Sequence, residues 1–87
     1  MQNTWNLEIR FEEDESRTAA TAALRLPGGG ELRGHGYSRR NPRDPARPAI
    51  GEEVAAARAL SNLAHELIEK AATHIEESTH EQAHLKA

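Results

Sequence analysis

From residue 5 the chain alternates strictly. Trp5, Leu7, Ile9 and Phe11 are apolar, and Asn6, Glu8, Arg10 and Glu12 stand between them. Successive side chains of a strand point to opposite faces, so a period of two predicts a strand over residues 5–12 with one buried face. The charged run from Glu13 to Arg17 reads as a turn. A second strand is predicted over residues 18–26, with Ala20, Ala22, Leu24 and Leu26 sharing one side. Pro27 and the glycines 28–30 supply a second turn, where positive φ costs glycine nothing. A third strand over residues 32–39 sets Leu32, Gly34, Gly36 and Ser38 on one face and Arg33, His35, Tyr37 and Arg39 on the other. Links this short predict an antiparallel meander.

The period then changes. Residues 40–49 contain Pro42, Pro45 and Pro48, which read as a crossover loop. Beyond it Val54, Ala57, Leu60, Ala64, Leu67, Ile68, Ala71 and Ile75 recur three and four apart, the stripe of an amphipathic helix. The spacing predicts a helix over residues 51–76, with Gly51 as N-cap and Glu52 and Glu53 placed favourably against the helix dipole. The expected fold is α+β: a three-stranded antiparallel meander with one long C-terminal helix on one face. Residues 1–78 form a single domain, and residues 79–87 are expected to be a disordered tail. The small side chains Ala55, Ala56, Ala57 and Ala59 against Gly34 and Gly36 predict a close approach of helix and third strand.

Length bears on assembly. A helix of about 25 residues runs roughly 37 Å, whereas an eight-residue strand spans about 27 Å. The helix is therefore expected to overhang its sheet and leave Leu67, Ile68, Ala71 and Ile75 as a candidate dimer interface. With 87 residues and only three aromatics, the core is small, and partnering with a second copy is expected.

Charge and composition narrow the chemistry. The net charge is −3, which argues against general affinity for nucleic acid or anionic membranes. There is no cysteine, so disulfides, thiolate metal sites and thiol nucleophiles are excluded. The opening residues lack a basic and then apolar leader pattern, and no apolar run approaches the roughly 20 residues of a membrane span, so a cytoplasmic location is expected.

Three motifs invite chemistry. His80-Glu81-Gln82-Ala83-His84 matches H-E-x-x-H, in which two histidines one helical turn apart hold zinc and the glutamate acts as base. It lies outside the amphipathic pattern with no third ligand downstream, so neither catalysis nor a metal is assigned. The glycines 28–36 lead into a strand, not into a helix N-terminus, which removes a phosphate-loop reading. Arg39, Arg40, Arg43 and Arg47, with His35 and Tyr37 nearby, are a candidate contact for an anion or a partner, balanced by Asp44, Glu52 and Glu53. On the polar sheet face, mixed charges on adjacent strands predict cross-strand pairs. No nucleophile, base and pocket coincide, so no enzyme activity and no cofactor are expected.

The runs Gly34-His-Gly-Tyr-Ser-Arg39 and Pro48-Ala-Ile-Gly-Glu-Glu-Val-Ala-Ala-Ala-Arg-Ala-Leu60, followed by Leu63-Ala64, carry a family resemblance. The chain resembles, from about residue 5 to 78, a small, largely actinobacterial family of unknown function. Its members pair a G-x-G-x-x-R strand with a helix opening P-x-I-G-[DE]-E and continuing A-R-A-L-x-x-L-A. The resemblance implies a fold classed with the double-stranded-RNA-binding-like domains (dsRBD-like), built β-β-β-α. It implies no activity. True dsRNA binders grip phosphate with lysines at the start of the last helix, where this chain has Glu52 and Glu53. Binding of dsRNA is not expected. The reading that results is a non-enzymatic interaction or regulatory module, acting as a small homo-oligomer with an unknown protein partner possible. The alternative is a nucleic-acid-binding domain using the arginine loop or the polar sheet face.

Overall fold

A computed structural model describes residues 1–41, 43, 47–80 and 83. Three strands, β1 (Leu7–Glu13), β2 (Arg17–Arg25) and β3 (Glu31–Arg39), precede one helix, α1 (Pro48–Thr79). The sheet has the order β1-β2-β3 and both pairings are antiparallel. Each element lies within a few residues of its sequence expectation. Register pairs Leu7 with Leu24, Ile9 with Ala22 and Phe11 with Ala20, and sets Gly36 beside Ala20 and Gly34 beside Ala22. The apolar rows of all three strands therefore share one face.

The boundaries that moved have local causes. Trp5 precedes β1 because β2 ends at Arg25, and beyond Leu26 the chain turns at Pro27, which has no N–H to extend the ladder. There the Leu26 N–H donates to the Gly30 carbonyl at 3.2 Å, and Gly29 and Gly30 take φ of 88° and 85°. The first hairpin is held by Asp14, whose Oδ1 accepts from the Ser16 and Arg17 N–H groups at 2.9 and 2.8 Å. The helix starts at Pro48, not at Gly51, with Arg47 as N-cap and no side-chain cap. Proline suits the first helical position, since its φ is already helical and its missing N–H would have had no partner there. Glu52 and Glu53 consequently fall in the second turn, and the first turn carries no acid. At the other end α1 runs to Thr79, and His80 closes it with φ 61° and its N–H on the Glu76 carbonyl at 2.7 Å.

Gly51 contributes by its size. A Cβ there would stand 3.0 Å from the Thr18 hydroxyl, and the Ser38 hydroxyl donates to the Gly51 carbonyl at 2.9 Å. This end of the helix is thereby pinned to the ends of β2 and β3.

The core differs from the predicted stripe. Its buried members are Ala20, Ala22, Leu24, Ala55, Ala59 and Leu63, with Ile9, Leu26, Leu32 and Leu67 packed partly against them. Of the eight residues in the predicted stripe, Ala57, Leu60, Ala64 and Ile75 are exposed, and Val54, Leu67, Ile68 and Ala71 are half-buried. The reason lies on β3. A Cβ on Gly34 would sit 2.7 Å from the Leu63 Cα, and one on Gly36 would sit 2.6 Å from the Ala55 carbonyl oxygen. The helix backbone thus lies directly on the two glycines, and only its narrow alanine face can approach so closely. Hydrophobic spacing identifies apolar residues but ignores size, and here size decides which of them face the sheet.

Polar atoms fix the rotation of the helix. The Asn62 Oδ1 accepts from the His35 N–H at 2.8 Å, and Arg58 donates to the Tyr37 carbonyl at 2.8 Å. These β3 backbone groups lie on the edge that does not pair with β2, so that flank of α1 is anchored over the outer edge of the sheet. The opposite flank, with Leu60 and Leu67, turns toward β1.

Because the contacts at Gly36 are with backbone, which cannot swing aside, Gly36→Ala should force the helix off the sheet. The expected loss is about 3 kcal/mol, the upper end of the usual overpacking range. Urea denaturation measures it, with an unchanged midpoint the contrary result.

Candidate functional site

Three surfaces compete as the functional site. The first is the arginine end of the sheet. A cleft of about 560 Å³ opens between the first hairpin, the end of β3 and the start of α1. Arg39, Arg40 and Arg47 line it, joined by Arg17 and Arg58, which sequence reasoning had not singled out. Glu13, Asp14 and Glu15 line it as well. An anion entering the cleft would meet three carboxylates among five guanidinium groups. Arg43, His35 and Tyr37 are not among its lining residues; the Arg43 N–H bonds the Asn41 side chain at 3.0 Å. Pro42, Asp44 and Pro45 lie outside the described residues, as do Glu81, Gln82 and His84 of the H-E-x-x-H motif. Among the described residues no group of three or more His, Asp or Glu is placed to hold a metal ion.

The second surface is the polar face of the sheet. The Arg17 guanidinium lies over the Tyr37 ring, 4.6 Å from its centroid, and the His35 Nδ1 is 3.3 Å from the Thr21 hydroxyl. The ion pairs on this face run along single strands, Arg10 to Glu8 at 3.3 Å and Arg33 to Glu31 at 3.1 Å. This corrects the expectation of cross-strand pairs. The charged side chains of these two pairs stand on β1 and β3, two strand spacings apart, or about 9.6 Å. Between them the middle of the central strand presents Ala19, Thr21 and Ala23, with Arg17 and Arg25 at its two ends. Both pairs are exposed and of little energetic weight.

The third surface is apolar. Leu7 and Phe11, on the helix-facing side of β1, are 43% and 37% exposed, because α1 sits over β2 and β3. On the helix itself Ile50, Leu60 and Ile75 are 52%, 40% and 42% exposed. The expected interface residues divide. Ile75 is exposed and Ile68 and Ala71 are half-buried, whereas Leu67, also half-buried, packs partly against the core. Leu60, Ala57 and Ala64 extend the surface further toward the helix N-terminus than expected. The three-and-four spacing of the helix stripe already contains these residues.

Comparison with known proteins agrees with this fold. Residues 3–84 match the Rv2632c-like family. The chain belongs to the Rv2632c-like family. Among its relatives are two uncharacterized mycobacterial proteins. Mb1767 of Mycobacterium bovis is 41% identical over 81 residues, covering 93% of this chain and 85% of that one. Rv2632c of Mycobacterium tuberculosis is 40% identical over 78 residues, covering 90% and 83%. The crystal structure of Rv2632c superposes with a TM-score of 0.83 at 38% identity, over 93% of this chain and 95% of that one. The Rv2632c-like fold is thus the three-stranded antiparallel sheet with one long C-terminal helix. None of the matched names denotes an enzymatic activity. Among the described residues no helix is long and apolar enough to cross a membrane.

The Asp14 turn gives a pH prediction. The backbone N–H groups of Ser16 and Arg17 hold its carboxyl below the ordinary value of 3.8. A depressed folded-state value means that the contribution is complete above 3.8 and is lost as pH falls through the lower folded value. Asp14→Ala should therefore melt below wild type at neutral pH, and the gap should close as the wild-type carboxylate protonates. Thermal melts across that range check the sign.

Proposed function

We propose that this Rv2632c-like chain is a non-enzymatic interaction module that works as a small homo-oligomer. The observation that carries the reading is the unclosed apolar layer: Leu7, Phe11, Leu60 and Ile75 are each more than a third exposed. Overall dimensions support it. A compact monomer of 9.6 kDa exposes roughly 5,100 Å² by size scaling, whereas this chain exposes 7094 Å². Its radius of gyration is 16.4 Å, against about 12 Å for a compact domain of 87 residues. Part of that excess belongs to the chain ends and the overhang of α1. The 32-residue helix runs about 48 Å, while the nine-residue strands span about 30 Å. Exposed large apolar side chains such as Leu7, Phe11, Leu60 and Ile75 are of the kind that marks an interface.

The mixed charge of the arginine cleft supports a protein partner over phosphate. Nucleic-acid affinity rests on net neutralisation of phosphate charge, and in this cleft Glu13, Asp14 and Glu15 work against it. Among the described residues no nucleophile, base and enclosed cavity come together on these three surfaces, which is in keeping with the non-enzymatic reading.

Light scattering over a concentration series tests self-association. Wild type should reach dimer mass by high micromolar concentration. Burying a leucine side chain is worth about 1.5–3 kcal/mol, so Leu60→Glu should weaken the dimer by roughly tenfold or more without unfolding the exposed site. A wild type that stays monomeric, or a variant that dimerises equally well, is the result against it.

A further inference from the structure

We propose that two copies of the chain join through β1, edge to edge and antiparallel, about a two-fold axis that passes Ile9. This rests on the self-association reading and gives it a surface, an occupant and a register.

The two edges of the sheet differ. On β3 the helix answers the outward backbone groups: the His35 N–H donates to the Asn62 Oδ1, and the Tyr37 carbonyl accepts from Arg58. Along β1 the backbone groups alternate in direction. The Arg25 N–H donates to the Asn6 carbonyl, so Asn6, Glu8, Arg10 and Glu12 turn their groups toward β2. Leu7, Ile9 and Phe11 turn theirs outward, and among the described residues no hydrogen bond reaches these groups. Native edges of this kind are usually blunted by a proline, a bulge or an inward-pointing charge. From Leu7 to Phe11 β1 has none of these: its pairing with β2 is one to one, and its helix-side row is Leu7, Ile9 and Phe11. This edge is open.

The order of side chains along the edge selects the occupant. Laid antiparallel on its own copy about Ile9, the run Leu7-Glu8-Ile9-Arg10-Phe11 sets apolar opposite apolar and acid opposite base. Leu7 meets the partner's Phe11, Ile9 meets the partner's Ile9, and Glu8 meets the partner's Arg10. The outward residues form the facing pairs that exchange backbone bonds, about six in all. Glu8 and Arg10 form the pairs between them, where side chains come closest. Their charges alternate in sign around the axis, and two sides of that ring are the Arg10 to Glu8 contacts already present in each strand at 3.3 Å. Farther out, Glu12 falls opposite the partner's Asn6 and diagonal to its Glu8, at the longer distance of about 7–8 Å. Trp5, which would face Glu13, precedes β1.

Other registers lose this match. An axis at Glu8 or at Arg10 sets that charge against its own copy. An axis at Phe11 sets Ile9 opposite Glu13, and one at Leu7 sets Ile9 opposite Trp5, outside the strand. An unrelated strand would meet the open backbone groups as well; the charge order is complementary to itself, which points to a second copy. In the joined sheet both helices lie on the same side. The half-open rows of Leu7 and Phe11 then become one apolar layer, bordered by the α1 flank that carries Leu60.

Exchanging charge between copies tests the register. Glu8→Arg and Arg10→Glu each set like charges opposite one another across the axis, at exposed positions that leave the apolar row untouched. At low salt each variant alone should self-associate about tenfold more weakly than wild type by light scattering. Mixing the two restores opposite charge at both facing pairs, so native mass spectrometry of the mixture should show the heterodimer in excess over either homodimer. The same exchange on β3, Glu31→Arg with Arg33→Glu, controls for net charge and should show no such excess. A wild-type dimer whose β1 variants associate equally well, or whose mixture gives no more heterodimer than the β3 control, overturns the edge pairing and leaves self-association standing. A wild type that stays monomeric overturns both.

Discussion

The close approach of the α1 backbone to Gly34 and Gly36 is the contact on which the rest of the structure depends. A sheet and a helix commonly pack through interdigitating large side chains, which hold the backbones apart. Here β3 offers no side chain at two successive inward positions, and the helix answers with Ala55 and Ala59. Backbone meets backbone. The core is thin as a result, and its larger side chains, Leu24 and Leu63, lie at one end of a run of alanines. Asn62 and Arg58 then fix the helix's rotation by taking the free backbone groups of the β3 edge.

That constraint determines what remains outside. The apolar arc of α1 is wider than the alanine face that the glycines admit, so Ala57, Leu60 and Ala64 are left exposed. The helix is also drawn over β2 and β3, which leaves the apolar row of β1 half open. Tight packing on one side and unspent apolar surface on the other share one cause. A domain of this size buries only about 60% of its unfolded surface, so its margin of stability is small.

Much of this was legible in the sequence. Alternation from Leu7 to Phe11 and from Ala20 to Leu24 set the strands and their inward faces, because the period of two leaves no choice of side. The pairing of Gly34 and Gly36 with alanines of the helix was also readable, as small residues facing small residues. The rotation of the helix was not. A stripe drawn through the largest apolar residues passes through Leu60 and Ala64, whereas the buried line runs through Ala55, Ala59 and Leu63, about a third of a turn away. Hydrophobic periodicity weighs leucine above alanine, and on this sheet the available space weighs the other way. The helix start was misplaced for a related reason: Gly51 resembles a cap, but its lack of a side chain is used against Thr18 and Ser38. The arginines named from the sequence were grouped by proximity along the chain. The fold adds Arg17 and Arg58 to three of them and sets carboxylates in their midst.

Which face of α1 lies on the glycines decides the rest, and proton NMR reads that directly. Nuclear Overhauser contacts should join the α-protons of Gly36 to the amide of Ala59, and those of Gly34 to the amide of Leu63. Contacts from the same α-protons to Leu60 and Ala64 would mean that the large residues face the sheet, and would contradict the account.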